Sequence, residues 1–134
     1  MSTSYAVLDS GILLATVQTD SQTEHAKSLI RRLIEQQIQM ISPTLLRYEL
    51  VAVARKWVYR RLTTPEEATA ALGILLRYPV TTVMDDALLY RAYELATEHN
   101  RPTAYDAQYL AVAERYQCDF WTADERLYHA VNDK

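Results

Sequence analysis

Four short runs of strand-like residues recur along this chain, and a long amphipathic stretch separates each from the next: Tyr5-Ala-Val-Leu8, Gln39-Met-Ile-Ser42, Val80-Thr-Thr-Val-Met84 and Asp119-Phe-Trp-Thr122. Parallel strands need a crossover of a dozen or more residues, usually a helix, so this alternation points to an α/β layer fold with a mainly parallel sheet. The intervening segments supply those helices. Ile12 to Val17 reads as a helical turn or two. Ser21-x-x-Glu24 has the form of a capping box, and Ala26, Leu29, Ile30, Leu33 and Ile34 keep helical spacing after it. Pro43 suits a first helical turn, and the pattern behind it runs to about Leu62. Thr64-Pro-Glu-Glu67 is a second capping box, opening a helix to about Leu76. Asp85 or Asp86 caps a helix to His99, Thr103 to Arg115 forms another, and Asp124 to about Val131 a last short one. No repeat, low-complexity stretch or linker intervenes, so residues 1–134 read as one domain.

Several chemistries are excluded by what the chain lacks. With Gly11 and Gly73 as the only glycines, there is no dinucleotide fingerprint, no phosphate-binding P-loop and no Gly-x-Ser-x-Gly elbow. His25, His99 and His129 stand far apart, and Cys118 is the single cysteine, so neither a zinc motif nor an intrachain disulfide is available. One cysteine, no signal-peptide pattern and no run of about 20 apolar residues make a cytoplasmic protein the expectation. A net charge of −3 argues against binding nucleic acid by bulk charge. Arg55-Lys-Trp-Val-Tyr-Arg-Arg61 holds four cations and no acid, and its simplest reading is a solvated helix face rather than a phosphate-binding one.

The chemistry then falls to carboxylates, and four of them are placed unusually. Asp9 follows the first strand directly, and Asp124 lies just past the last one. In open parallel sheets, ligands bind in the crevice outside the carboxyl ends of the strands. Glu49 shares a helical stripe with Leu45, Leu46, Ala52 and Val53, while Asp106 sits in a first helical turn with Tyr109 and Leu110 on its face. A carboxylate on a core-facing stripe is costly unless paired, hydrogen-bonded or metal-bound. Each acid also has a purely structural use: Asp9 and Asp124 as helix caps, Asp106 at a helix's positive end, Glu49 paired with Arg47 or Arg55. Taken together, four convergent acids repel one another, and a hard divalent cation relieves that repulsion. On that picture, neutralising Asp9 or Asp106 should raise stability in the absence of metal. Asp85 and Asp86 share the sheet edge, but capping accounts for both.

These segments resemble the PIN-domain family, and within it the VapC-like toxins of toxin–antitoxin modules. Ala6-Val-Leu-Asp-Ser10 with Ile12-Leu-Leu14 is similar to the family's opening strand and first acid. Ser42-Pro-Thr-Leu-Leu-Arg-Tyr-Glu-Leu50 is similar to its second acidic segment, Thr103-Ala-Tyr-Asp-Ala-Gln-Tyr-Leu-Ala111 to its third, and Phe120-Trp-Thr-Ala-Asp-Glu-Arg-Leu127 to its fourth. The resemblance implies a three-layer PIN-like fold whose short, mainly parallel central sheet of about four to five strands is flanked by helices. It implies a Mg2+- or Mn2+-dependent ribonuclease in which Asp9, Glu49 and Asp106 form the main acidic set. Asp124 completes that set less directly, and Thr122 matches a hydroxyl residue that orients the site. An RNA substrate, a small antitoxin that covers the site and a homodimer are implied as partners. Alternatives are a catalytically silent protein-binding module of the same fold, or a nuclease of RNA processing or of DNA. A phosphoacceptor domain would need paired acids after the first strand and a lysine after a late one; only Asp9 follows the first strand, and no lysine lies between Lys56 and Lys134.

Overall fold

Residues 3–123 are described by the computed structural model. Strand β1 (Tyr5–Leu8) is followed by α1 (Ser10–Ala15), α2 (Thr23–Glu35) and β2 (Gln39–Pro43). Then come α3 (Leu45–Tyr59), α4 (Pro65–Arg77), β3 (Val80–Val83), α5 (Asp86–Glu98), α6 (Tyr105–Tyr116) and β4 (Asp119–Trp121). The expected short helix from Asp124 lies outside the described residues, as does Asp124 itself.

All four strands are parallel, in the order β3-β2-β1-β4. Val7 of β1 pairs with Ile41 of β2 on one side and Phe120 of β4 on the other. The chain steps outward from β1 to β2 to β3, then returns across both to lay β4 on the far side of β1. Right-handed crossovers on an outward and a return path put the connecting helices on opposite faces of the sheet. Side chains agree with that. On one face Tyr109 of α6 stacks on Phe120, and Tyr116 of α6 meets Tyr5 edge-on. On the other, Leu29 and Leu33 of α2 border the same recess as Ala6 and Trp121. Covered on both faces, β1 and β2 carry near-continuous apolar runs rather than an alternating pattern, with Val7, Leu8, Met40 and Ile41 almost wholly buried.

Local chemistry sets most element boundaries. Thr64 caps α4, accepting from the Glu67 N–H at 3.1 Å while its hydroxyl donates to the Glu67 carboxylate at 2.9 Å, with Pro65 in the first turn. Asp85 caps α5 through the Leu88 N–H at 2.9 Å. It also takes two bonds from Arg115, and those bonds with the helix N–H hold its carboxyl down at about 2.

Several expected boundaries differ, and α1, read as Ile12 to Val17, runs Ser10–Ala15 because Asp9 caps it. Ser21 does not cap α2, which begins at Thr23. The Thr23 hydroxyl donates to the Gln18 carbonyl, and the Asp20 carboxylate accepts from the Gln22 N–H, so Asp20 and Thr23 close a turn that contains Ser21 and keeps it from the cap position. Pro43 ends β2 instead of opening α3, where its missing N–H costs the ladder little at a strand end. Helix α6 opens at Tyr105 rather than Thr103.

One buried bond fixes the sheet edge that matters below. The Ser42 hydroxyl, wholly buried, donates to the Leu8 carbonyl at 2.6 Å and ties the end of β2 to the end of β1 just before Asp9. Ser42→Ala leaves that carbonyl without this partner and is expected to cost about 1–3 kcal/mol. Chemical denaturation checks this, and a midpoint equal to that of wild type contradicts it.

Candidate functional site

Because β4 lies on the opposite side of β1 from β2, the strand order reverses between β1 and β4. That reversal is where an open parallel sheet leaves a crevice at its carboxyl edge. Asp9 stands in it. Its backbone is extended (φ −85°, ψ 171°), its N–H donates to the Trp121 carbonyl at 3.1 Å, and it is 8% exposed. One carboxylate oxygen caps α1, accepting from the Ile12 N–H at 3.0 Å. The other accepts a hydrogen bond from the Thr122 hydroxyl, which β4 delivers as it ends. Gly11 allows the two strand ends to close up: a Cβ there would stand 3.1 Å from the Ala123 Cβ and 3.3 Å from the nearer Asp9 oxygen.

Glu49 reaches the same cleft from the first turns of α3, and Asp106 from the first turn of α6. Together with Asp9, Ser10, Gly11, Tyr109 and Ala123 they line a recess of about 300 Å3. The structure thus brings together Asp9, Glu49 and Asp106, with Thr122 bonded to the first. It says nothing of Asp124, although Ala123, the residue before it, borders the recess.

Neither arginine expected to neutralise Glu49 does so. The Glu49 carboxylate instead accepts a hydrogen bond from the buried Tyr109 hydroxyl, whose ring is fixed against Phe120 at 5.8 Å. Burial pushes the Glu49 carboxyl above its ordinary range. The Tyr109 bond pulls it back, and the nearby charges of Asp106 and Asp9 raise it further. Burial, followed by the Glu49 bond, in turn pushes the Tyr109 phenol far up, so it remains a donor at any working pH.

Asp106 is handled differently. Arg101, which precedes α6, donates to it at 3.2 Å, and the Arg101 Nε is buried without a partner among the described residues. Sequence reading passed over Arg101, Tyr109 and Ser10 as site residues. Tyr109 could have been found from its place one helical turn after Asp106 on the same face. Arg101 carries no spacing signal, since the turn between α5 and α6 decides where it lands.

Among the described residues, no three His, Cys, Asp or Glu side chains stand close enough together to hold a metal ion as they are. The arrangement is an electronegative recess of carboxylates, with Glu49 raised in pKa by burial and further by the like charges of Asp106 and Asp9, and with Arg101 as the counter-charge on Asp106.

Residues 6–132 match the sequence model of the PIN domain. The chain belongs to the PIN-domain family. Solved structures share this PIN fold over nearly the whole chain. One is VapC20 of Mycobacterium tuberculosis, described as a sarcin–ricin loop cleaving toxin, at 19% identity and TM-score 0.65, covering 94% of this chain and 95% of that one. Another is PAE2754 from Pyrobaculum aerophilum, at 24% identity and TM-score 0.66, covering 98% of this chain and 89% of that one. A comparison with curated protein sequences finds no match.

The two helix-borne acids of this PIN domain should respond oppositely to neutralisation in chelator. A raised folded pKa means the native state holds the Glu49 proton more tightly than the unfolded chain. Its contribution is therefore most favourable below its ordinary value and declines as pH rises through the raised one. Glu49→Gln keeps an acceptor for Tyr109 and removes the charge, so near neutral pH it should melt above wild type. Asp106→Asn should melt below wild type, because it leaves the Arg101 guanidinium short of its counter-charge. This corrects the expectation that neutralising Asp106 relieves strain. Melting curves in EDTA decide it, and Glu49→Gln melting lower than wild type would count against the account.

Proposed function

We propose that this PIN-domain chain is a divalent-metal-dependent endoribonuclease, the toxin of a toxin–antitoxin pair. The observation that carries the reading is that three acids from separate elements, Asp9 after β1, Glu49 on α3 and Asp106 on α6, line one cleft where the strand order reverses. A structural use for each acid separately does not explain why the three meet.

The donor set suits Mg2+ or Mn2+: all ligands are carboxylate oxygens, and the excess negative charge around Glu49 calls for a cation. Asp9, Glu49 and Asp106 would hold the ion, with Asp124 completing the set. Small shifts of Glu49 and Asp106 would then bring the three acids to ligand spacing, which they do not have among the described residues. When bound, the ion polarises a phosphate oxygen and lowers the pKa of a coordinated water, so no histidine base is required.

The protein's own residues orient this chemistry. Ile12 N–H and Thr122 fix the two oxygens of Asp9, Tyr109 fixes Glu49, and Arg101 holds Asp106 while leaving a cation at the cleft wall. Water attack on the phosphodiester with departure of the 3′-oxygen leaves a 5′-phosphate and a 3′-hydroxyl.

The likeness to VapC20, described as a sarcin–ricin loop cleaving toxin, supports RNA as substrate and a small antitoxin as the partner that covers the cleft. A homodimer would bury exposed apolar and aromatic side chains. Trp57 is half-buried and Leu88 fully buried, whereas Leu89, Tyr90 and Tyr93 are 46%, 74% and 70% exposed on one face of α5. That face is the surface we assign to a second copy of the chain. No helix among the described residues is long and apolar enough to cross a membrane.

Cleavage of RNA in Mn2+, in Mg2+ and in EDTA tests the proposal. Asp9→Asn should abolish metal-dependent cleavage with the fold intact, since asparagine still caps α1. Thr122→Ala should lose about 10–100-fold, the usual penalty for removing a group that orients a metal ligand. Glu49→Gln and Asp106→Asn should cost more than Asp124→Asn. Equal cleavage by wild type and Asp9→Asn would remove the site. Metal-independent binding of a protein partner without cleavage would instead favour the silent-module reading.

A further inference from the structure

Helix α3 has one acid, Glu49, and it is turned into the cleft. Its outward face is made of the pairs 47/48, 51/52, 55/56 and 59/60, all exposed, so a single stripe runs the length of the helix. Along that stripe Arg47, Tyr48, Arg55, Lys56, Tyr59 and Arg60 place cations and aromatic rings beside one another, with no carboxylate among them. Tyr48 and Tyr59 are 68% and 76% exposed, and the Arg55 guanidinium lies 5.7 Å from the centre of the Tyr59 ring.

What sets these cations apart is that they share one helix face with exposed aromatic rings and no acid, whereas the arginines of α5 and α6 and the turn between them are ion-paired. Arg91 is bound by Glu114 and Glu98, Arg115 by Asp85, and Arg101 by Asp106. Among the described residues, none of the stripe's cations makes an ion pair. In a chain of net charge −3, their field is uncompensated locally although the protein as a whole is acidic.

Position completes the argument. Helix α3 starts at Leu45, directly after β2, so its first turn stands at the carboxyl edge of the sheet beside the acid cleft. From Arg47 to Arg60 the stripe extends about 20 Å away from that edge. Spaced cations alongside exposed aromatic faces are what a single-stranded polynucleotide requires: phosphates meet the charges, and unpaired bases stack on the rings. A duplex could use the charges but has no bases free to stack. Phosphate contacts and ring stacking carry little sequence information, so the stripe would grip sequence-tolerantly.

We propose that the exposed face of α3 is a track for single-stranded RNA, which leads the strand to the cleft formed by Asp9, Glu49 and Asp106. This rests on the ribonuclease reading and adds to it the form of the substrate and the path by which it approaches. It also replaces the solvated-face reading of residues 55–61.

The test is fluorescence anisotropy of a fluorescein-labelled single-stranded RNA dodecamer in EDTA, titrated with the whole protein at several salt concentrations. Arg55→Glu/Lys56→Glu should weaken binding at least tenfold and flatten the dependence of log affinity on log salt by roughly one to two units. Tyr48→Ala/Tyr59→Ala should weaken it about tenfold with the salt slope unchanged, because stacking releases no counterions. Lys27→Glu/Arg31→Glu makes the same charge change on the exposed face of α2 and should bind as wild type does. Binding untouched by the α3 variants, or lost equally in the α2 control, overturns the track while leaving the nuclease proposal standing. Equally tight binding of the matching RNA duplex also overturns it. Light scattering that finds wild type dimeric and the α3 variants monomeric shows the face to be a protein interface instead. A wild type that neither binds the RNA nor cleaves it with Mn2+ defeats the nuclease reading itself.

Discussion

Asp9 is anchored by three hydrogen bonds at once, and the candidate site depends on that anchoring. Its N–H closes onto β4, one carboxylate oxygen starts α1, and the other takes the hydroxyl that ends the β4 segment. A carboxylate so placed is nearly buried at the point where β1 and β4 separate the outgoing from the returning half of the fold. Two more carboxylates face the same space, and like charges in a poorly solvated recess raise one another's cost. The molecule offsets that cost in two ways. Glu49 receives a neutral hydroxyl from Tyr109, and Asp106 receives a charged guanidinium from Arg101.

Those two solutions have different chemical consequences. A tyrosine donor fixes the direction of a carboxylate while leaving its charge available, and leaves the site electronegative. An arginine cancels one charge and keeps a cation at the cleft wall, where a phosphate could be met as well as a carboxylate. Outside the cleft the charge is arranged the other way: acids and arginines on α5 and α6 are paired with one another, while the cations of α3 are not. An acidic recess beside an uncompensated basic face suits a polyanionic substrate whose reacting phosphate is brought to a metal ion.

The fold was legible because its signal is periodic. All four strands and the helices between them fall where apolar runs and helical spacing put them, since burial on both faces of a parallel sheet writes a continuous pattern into the sequence. Asp9 was legible because it stands directly after an apolar strand, and Glu49 because it interrupts an apolar helical stripe. The partners were not. Tyr109 meets Glu49 across 60 positions, Thr122 meets Asp9 across 113, and Arg115 meets Asp85 across 30. Such pairs are set by how the helices and strand ends pack. The errors at Ser21 and Pro43 have a similar cause: a competing hydrogen-bonded turn in one case, and in the other a strand end that tolerates proline.

The central claim is that Asp9, Glu49 and Asp106 together hold a divalent ion. Anomalous diffraction from crystals soaked in Mn2+ tests it most directly. The account predicts a manganese peak in the recess, within coordination distance of oxygens from all three acids and with Arg101 still at its wall. An empty recess under saturating Mn2+, with the three carboxylates keeping the partners they have here, would contradict it.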